Sequence, residues 1–215
     1  MNLLSPNGQF GTRIQGGKDS ASPRYFFTEL SPMAKQLFND KDFPLLNYLD
    51  DDGTSIEPEY YVPILPLILI NGTHGIGTGY STNIPTFNPV DIIKLMECKL
   101  KGQPYPEIKP WFNGFKGKVV QVNEKQYFTR GVYKKKSSNT IHITELSIGM
   151  WTEDYKHYLE SLLMDSKGNN KKNQILMDYR DNSTEDVVDF TLKFHPVTLM
   201  RIMKQKAKDG IHPIE

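Results

Sequence analysis

Closely spaced glycines and prolines deny the first half of this chain any long regular element. Gly8, Gly11, Gly16 and Gly17 fall in residues 5–24, a stretch otherwise rich in Ser, Asn and Gln. Glycine supplies backbone angles that other residues resist, so this stretch reads as an extended loop. The longest apolar run, residues 62–70, has nine residues and contains Pro63 and Pro66. A bilayer-spanning helix needs about 20 apolar residues, so no membrane span is expected here. Instead, residues 60–70 read as an irregular or edge strand entering a core. Residues 71–80 form a second glycine-rich loop.

Between these breaks, local signals place short elements. Tyr25-Phe26-Phe27-Thr28-Glu29-Leu30 has the aromatic and β-branched character of a strand. Ser31-Pro32 offers an N-cap and a first-turn proline for a helix over residues 33–38. Asn88-Pro89 does the same for a helix ending near Leu100, with Asp91 in its first turn. Past residues 102–112 the character changes, and a boundary is expected there. Residues 117–122, 126–133 and 140–145 alternate apolar and polar side chains between turns, which predicts a β-meander. Thr152 is positioned to cap a helix whose Tyr155, Tyr158, Leu159, Leu162 and Leu163 make one stripe. Residues 167–173 read as a polar loop, 189–194 as a strand and 195–208 as a basic helix. The class is α+β.

Composition sets outer bounds. At 215 residues the chain holds one or two domains of about 100–200 residues each. The 38% hydrophobic and 24% charged content excludes disordered and collagen-like chains. The N-terminus carries neither a charged region nor a long apolar one, so no signal peptide is expected. A single cysteine, Cys98, excludes an internal disulfide and a cysteine-rich zinc module and points to a reducing compartment. Net charge is only +1, but its distribution is uneven. Residues 116–136 hold seven cations and one acid, and residues 193–208 five cations and none. Residues 40–59 carry seven acids and only Lys41. Basic stretches of this kind can follow a phosphate backbone while an acidic one faces away; they can equally be solvated faces.

Gly75-Ile76-Gly77-Thr78-Gly79 invites a dinucleotide-binding reading, which requires a helix to open directly after it. Pro85 and Pro89 stand where that helix would run, and no Lys-Ser/Thr makes a P-loop. The segment is either a tight structural loop or one that presents Ile76 from a backbone able to press close to a ligand. Asp50-Asp51-Asp52-Gly53 lacks the final carboxylate of a calcium loop and reads as a turn. His74, His142, His157, His195 and His212 are dispersed without metal-site spacing, so no metal ligands are assigned. No serine or cysteine sits in a nucleophile elbow.

Tyr25 remains. A tyrosine at the start of a strand is usually a packing residue, but this one follows Arg24 at the end of a glycine-rich loop bearing Lys18. A phenol, with a pKa of about 10, is a poor nucleophile at neutral pH unless its anion is stabilised. An adjacent guanidinium favours the phenolate and can grip a phosphate oxygen through its fork of donors. The constellation suits attack on a phosphodiester.

Asn7-Gly8-Gln9-Phe10-Gly11-Thr12-Arg13 and Gly16-Gly17-Lys18-Asp19-Ser20-Ala21-Ser22-Pro23-Arg24-Tyr25 resemble the catalytic loop of eukaryotic-type DNA topoisomerase II. Glu57-Pro58-Glu59-Tyr60-Tyr61-Val62-Pro63-Ile64-Leu65-Pro66, Ile70-Asn71-Gly72 and Gly75-Ile76-Gly77-Thr78-Gly79-Tyr80-Ser81 follow in the family's order. So do Ile84-Pro85, Phe87, Thr144-Glu145-Leu146 and Trp151-Thr152. The similarity runs over nearly the whole chain. His74, Tyr80 and Gly149-Met150 depart from the family's usual pattern.

The resemblance implies a segment of a type IIA enzyme. Residues 1–50 would be the C-terminal part of the winged-helix domain, and residues 51–215 the tower domain, including the DNA-bending loop 71–80. Tyr25 would be the nucleophile that forms a 5′-phosphotyrosyl intermediate, Arg24 the transition-state stabiliser and Ile76 a wedge that bends DNA. Lys18, Arg13, Gly75 and Gly77 would contact DNA. Double-stranded DNA and a second copy of the enzyme, in a homodimer, are the implied partners, with no membrane. Mg²⁺ and ATP would bind the full-length enzyme outside this segment, leaving the isolated segment inactive. The implied location is the nucleus or another intracellular compartment, a viral source included. A catalytically idle DNA-binding, DNA-bending or structural relative is the alternative, and the intact Arg24-Tyr25 pair argues against it.

Overall fold

The computed structural model describes residues 1–124, 126–164 and 175–204. These form two compact units. The first joins Met1–Gly8 to Arg24–Asn113, and the second joins Gln9–Pro23 to the chain from Gly114 onward. The change of character expected at residues 102–112 thus falls at the junction Asn113/Gly114. Residue 50 lies inside a strand of the first unit.

In the first unit, helix α1, Pro32–Leu37, starts as its sequence predicts. The Ser31 hydroxyl accepts from the Ala34 N–H at 3.2 Å, and Pro32 occupies the first turn. Ala34 and Leu37 are its buried side chains. Strands β1, Tyr48–Asp51, and β2, Thr54–Pro58, pair antiparallel. The turn between them is Asp52-Gly53, both at positive φ, and the Gly53 N–H donates to the Asp50 carboxylate at 2.9 Å. The acidic run is therefore a hairpin turn, as expected. After Pro66, helix α2, Leu67–Ile70, makes a single turn closed by the Asn71 N–H on the Leu67 carbonyl. The edge strand expected over residues 60–70 is not formed, because two prolines remove ladder donors and residue 67 onward coils.

The second glycine-rich segment is a hairpin rather than a loop. Strand β3, Thr73–Gly77, pairs with β4, Tyr80–Ile84, around Thr78-Gly79. Helix α3, Pro89–Leu100, follows, with the Asn88 side chain accepting from the Val90 N–H and Ile92 fully buried. No strand forms over residues 25–30. Pro23–Tyr25 make a 3-10 turn, and only Leu30 pairs, through an isolated bridge to Leu4. A strand needs a continuous ladder, and pairing with residues 3–5 is confined to the end of the run, at the Glu29 carbonyl, the Leu30 bridge and the Ser31 N–H.

The second unit is built on antiparallel sheets. Strands β5, Lys118–Asn123, and β6, Gln126–Arg130, form one pair. Strands β7, Val132–Lys135, β8, Thr140–Glu145, β9, Leu176–Asp181, and β10, Phe190–Phe194, form a four-stranded sheet in the order β7-β8-β10-β9. The expected meander is thus two hairpins in separate sheets. The run 126–133 splits at Gly131, where a Cβ would lie 2.2 Å from the Glu145 carbonyl oxygen. Helix α4, Thr152–Met164, packs Tyr155, Leu159, Leu162 and Leu163 against the sheet, while Tyr158 is more than half exposed. The Tyr155 ring meets Phe190 edge-on at 5.2 Å, and burial pushes its phenol well above the usual tyrosine range. Ile141, Ile143, Phe190, Leu192 and Leu199, the last from helix α5, Pro196–Lys204, complete the core.

Thr152 does not act as the expected cap. It is the first helical residue, and its buried hydroxyl finds no hydrogen-bond partner. The expected polar loop at 167–173 and the end of the basic helix beyond Lys204 lie outside the described residues.

Phe190 is completely buried in this core. Phe190→Ala should destabilise the second unit by about 3–5 kcal/mol in urea titration, by lost transfer energy plus a cavity. Val197→Ala, on an exposed face of α5, should change stability by less than about 0.5 kcal/mol.

Candidate functional site

The loop of residues 9–23 is braced against itself. The Ala21 N–H donates to the Gln9 carbonyl and the Gly17 N–H to the Thr12 carbonyl, both at 3.0 Å. The Thr12 N–H and hydroxyl donate to the two Asp19 oxygens at 2.9 and 2.6 Å. Those two bonds, the hydroxyl's first, hold the Asp19 carboxyl below the usual aspartate range. Gly11, at φ 88°, lets the strands of the loop touch, since a Cβ there would sit 2.6 Å from the Gly17 Cα.

Three contacts then dock this loop within the second unit. Arg13 pairs its guanidinium with Glu145, which is 2% exposed at the end of β8. The Ile14 carbonyl accepts from the Glu153 N–H at 3.0 Å, satisfying one of the orphan donors at the start of α4. Gly16, at φ 63°, lies flat on Trp151, whose ring a Cβ would approach to 2.2 Å. Lys18 is exposed, and among the described residues its ammonium makes no ion pair. Of the cations expected at a phosphate, Lys18 therefore stays available, whereas Arg13 is engaged by a buried carboxylate.

Arg24 and Tyr25 belong to the first unit, on the 3-10 turn Pro23–Tyr25. The Arg24 guanidinium carbon lies 5.7 Å from the centre of the Tyr25 ring, a cation–π contact. Tyr25 is 66% exposed and Phe27 88%, so neither is a packing residue in this unit. The far end of the segment is secured instead. The Thr28 hydroxyl donates to the Ser5 carbonyl at 2.6 Å, the Ser5 N–H to the Glu29 carbonyl and the Ser31 N–H to the Leu3 carbonyl, both at 2.9 Å.

The hairpin β3–β4 presents Ile76, which is 83% exposed. Cross-strand pairing sets Ile76 opposite Ser81 and His74 opposite Asn83 on one face, with Gly75, Gly77, Tyr80 and Thr82 on the other. Neither Gly75 nor Gly77 adopts positive φ. A Cβ at Gly75 would meet nothing within 4 Å, and one at Gly77 only the Tyr80 carbonyl at 4.0 Å. The hairpin's base is fixed by Gly72, whose Cβ would fall 2.7 Å from the Ile84 carbonyl oxygen.

Among the described residues no group of three or more His, Cys, Asp or Glu converges to hold a metal. His142 is hydrogen-bonded to Asp189 at 2.9 Å and His157 to Glu160 at 3.4 Å. No described helix is long and apolar enough to cross a membrane. The roles of Glu145 and Trp151 escaped the sequence reading. One signal was present, for the alternation of Ile141 and Ile143 puts Glu145 on the core face, where a carboxylate needs a partner.

The family model for the A subunit of DNA gyrase/topoisomerase IV matches residues 1–209. The chain is 44% identical to DNA topoisomerase 2 top-2 of Caenorhabditis elegans, an alignment covering 94% of this chain and 13% of the relative. It is 47% identical to the mitochondrial DNA topoisomerase 2 of Dictyostelium discoideum, over 88% of this chain and 14% of that protein. The chain thus spans a small part of these relatives. Its structure is similar, with a TM-score of 0.88 and 43% identity, to the crystal structure of the Plasmodium falciparum topoisomerase II DNA-binding, cleavage and re-ligation domain. That match covers 95% of this chain and 27% of the other.

The depressed Asp19 pKa has a definite sign. A carboxyl held below its unfolded value stabilises the loop above the usual aspartate range, and the contribution is lost as pH falls through the folded pKa. Amide hydrogen exchange at Thr12, corrected for its intrinsic pH dependence, should be slow at neutral pH and speed up on acidification. Asp19→Ala should exchange fast at both.

Proposed function

Since this chain belongs to the DNA gyrase/topoisomerase IV family, we propose that it is the DNA cleavage and religation segment of a type II DNA topoisomerase. The observation that carries the reading is Tyr25, two-thirds exposed on a short turn with the Arg24 guanidinium against its ring. The phenolic oxygen of Tyr25 attacks the phosphorus of a backbone phosphodiester. The bond from phosphorus to the 3′ oxygen breaks, the phenolic proton is lost and the 3′ oxygen leaves as a hydroxyl. A 5′-phosphotyrosyl link remains. One phosphodiester replaces another, so the reverse attack reseals the strand without an energy source. Arg24 neutralises charge on the phosphate. Lys18 holds the backbone nearby.

Ile76 enters a base step from the hairpin. Partial unstacking costs a few kcal/mol per step and is repaid by the larger protein surface that bent DNA can follow. Gly75 and Gly77 leave room for the sugar–phosphate backbone beside it. The partners on this reading are double-stranded DNA and a second copy of the enzyme, in a homodimer. Strand passage couples to ATP, and Mg²⁺ neutralises phosphate charge when bound. Both are proposed to bind other regions of the enzyme. Residues 1–50 correspond to the end of the winged-helix domain and 51–215 to the tower. Nuclear action is proposed; the Dictyostelium discoideum relative is a mitochondrial protein by name.

In the complete protein, Tyr25→Phe should abolish covalent protein–DNA adducts trapped with denaturant. DNA affinity should stay within about twofold, because a nucleophile is lost and no charge is. Adducts at the wild-type level would overturn the assignment. Ile76→Ala should reduce bending of a short end-labelled duplex, read by energy transfer, and lower cleavage more than affinity, which phosphate contacts dominate. An unchanged bend would return Ile76 to an ordinary surface residue.

A further inference from the structure

Glu145 stands where the sheet would otherwise carry an apolar residue. Along β8 the alternation buries Ile141, Ile143 and Glu145 together on the core side. Glu145 is the one buried carboxylate among the described residues. A buried carboxylate is costly unless paired and fully hydrogen-bonded, and replacing such a pair with apolar side chains of similar volume is often neutral or stabilising. Stability of the sheet therefore does not account for a glutamate here.

Its partners do. Glu145 accepts from the Arg13 guanidinium, from the Leu146 N–H at 3.1 Å and from the Lys116 N–H at 3.3 Å. Leu146 and Lys116 belong to the chain around the sheet. Arg13 alone comes from the loop 9–23, which is cross-braced by Thr12, Gly17 and Asp19 and so responds as one piece. The carboxylate is the fixed point to which that piece is tied. The same loop carries Lys18 and continues through Pro23 directly into Arg24 and Tyr25.

We propose that Glu145 is a positioning residue for strand cleavage, acting through Arg13 to fix the loop that carries Lys18 and leads along the chain into the Arg24-Tyr25 pair. The inference rests on the functional reading above. It gives Arg13 a different role from the DNA contact its sequence suggests, that of an internal strut. In-line attack requires the reacting atoms within about 3–3.5 Å, and a 1 Å misplacement costs about a hundredfold in rate. A loop held by one charged tie is well suited to set that distance without contributing to DNA affinity.

The test compares, in the complete protein, wild type with Arg13→Ala, Arg13→Lys and the double variant Arg13→Met/Glu145→Met. The double variant leaves no unpaired buried charge and keeps side chains of similar length, so it folds where Arg13→Ala fails to. At saturating DNA and below each variant's melting temperature, adduct formation should fall about a hundredfold in the double variant. Its DNA affinity should stay within about threefold, because the pair it removes is neutral as a whole. Arg13→Lys, which restores a charge opposite Glu145, should recover part of the loss. A double variant that folds and cleaves like wild type overturns the proposal. If wild type itself forms no tyrosine-linked adduct, the functional reading falls and this inference falls with it, whereas hydrogen exchange reads the tie by itself. The Glu153 amide, bonded to Ile14 of the loop, should exchange faster in the double variant; unchanged exchange overturns the proposal.

Discussion

A carboxylate buried at the end of a β-strand cannot be left unpaired, and satisfying Glu145 shapes much of the second unit. Gly131 has no side chain, which lets the chain between β6 and β7 pass directly over the Glu145 backbone. Lys116 is drawn in to donate its N–H. Arg13 is pulled onto the sheet, and with it Ile14 to the first turn of α4 and Gly16 to the ring of Trp151. The loop 9–23 joins this unit by those contacts although it is separated from it in sequence by some ninety residues of the first unit. A single charge requirement explains why a glycine-rich stretch that looks loose in sequence is closely tied down.

That kind of tie is what sequence reading handles worst. Local signals were legible: Ser31-Pro32 and Asn88-Pro89 open α1 and α3 as their chemistry demands, and Asp52-Gly53 makes its turn. Each of these is decided by residues within a few positions of one another. The failures involve partners distant in sequence. The aromatic run 25–30 has strand composition but ladders with residues 3–5 only at its end, and the alternation over 126–133 conceals a break at Gly131 imposed by Glu145. Thr152 is the local exception: it has a capping side chain, but the Tyr155 N–H that it would accept from is bonded to the Trp151 carbonyl. The candidate residues stand out in the sequence for a different reason. Arg24, Tyr25 and Ile76 lie in glycine-rich motifs that resemble those of a known family, and the structure leaves all three exposed.

The two units treat their functional candidates in opposite ways. In the second, the loop leading to Tyr25 is restrained by internal bonds and by its docking contacts. In the first, the segment after Tyr25 is tied to the N-terminal residues through Ser5, Leu3 and the Leu4–Leu30 bridge. Between the two, Tyr25 itself is 66% exposed. On the proposed function, a residue that attacks a large substrate would gain from such a restrained approach and open ring, since orientation and access are then both supplied.

Glycines divide along the same line. At Gly16 and Gly72 an added Cβ would drive into Trp151 or the Ile84 carbonyl, so the fold itself forbids a side chain. At Gly75 and Gly77 the backbone is ordinary β and an added Cβ would meet almost nothing. Glycine in a strand interior weakens the strand, and here no internal contact compensates. On the same hairpin Ile76 and Tyr80 stand 83% exposed with nothing to bury them. Ile76 on one face and Tyr80 beside the two glycines on the other are thus both displayed without any demand from packing inside the hairpin. On the proposed function, a duplex that opens a base step for Ile76 and brings its backbone close to the glycines would use these features together.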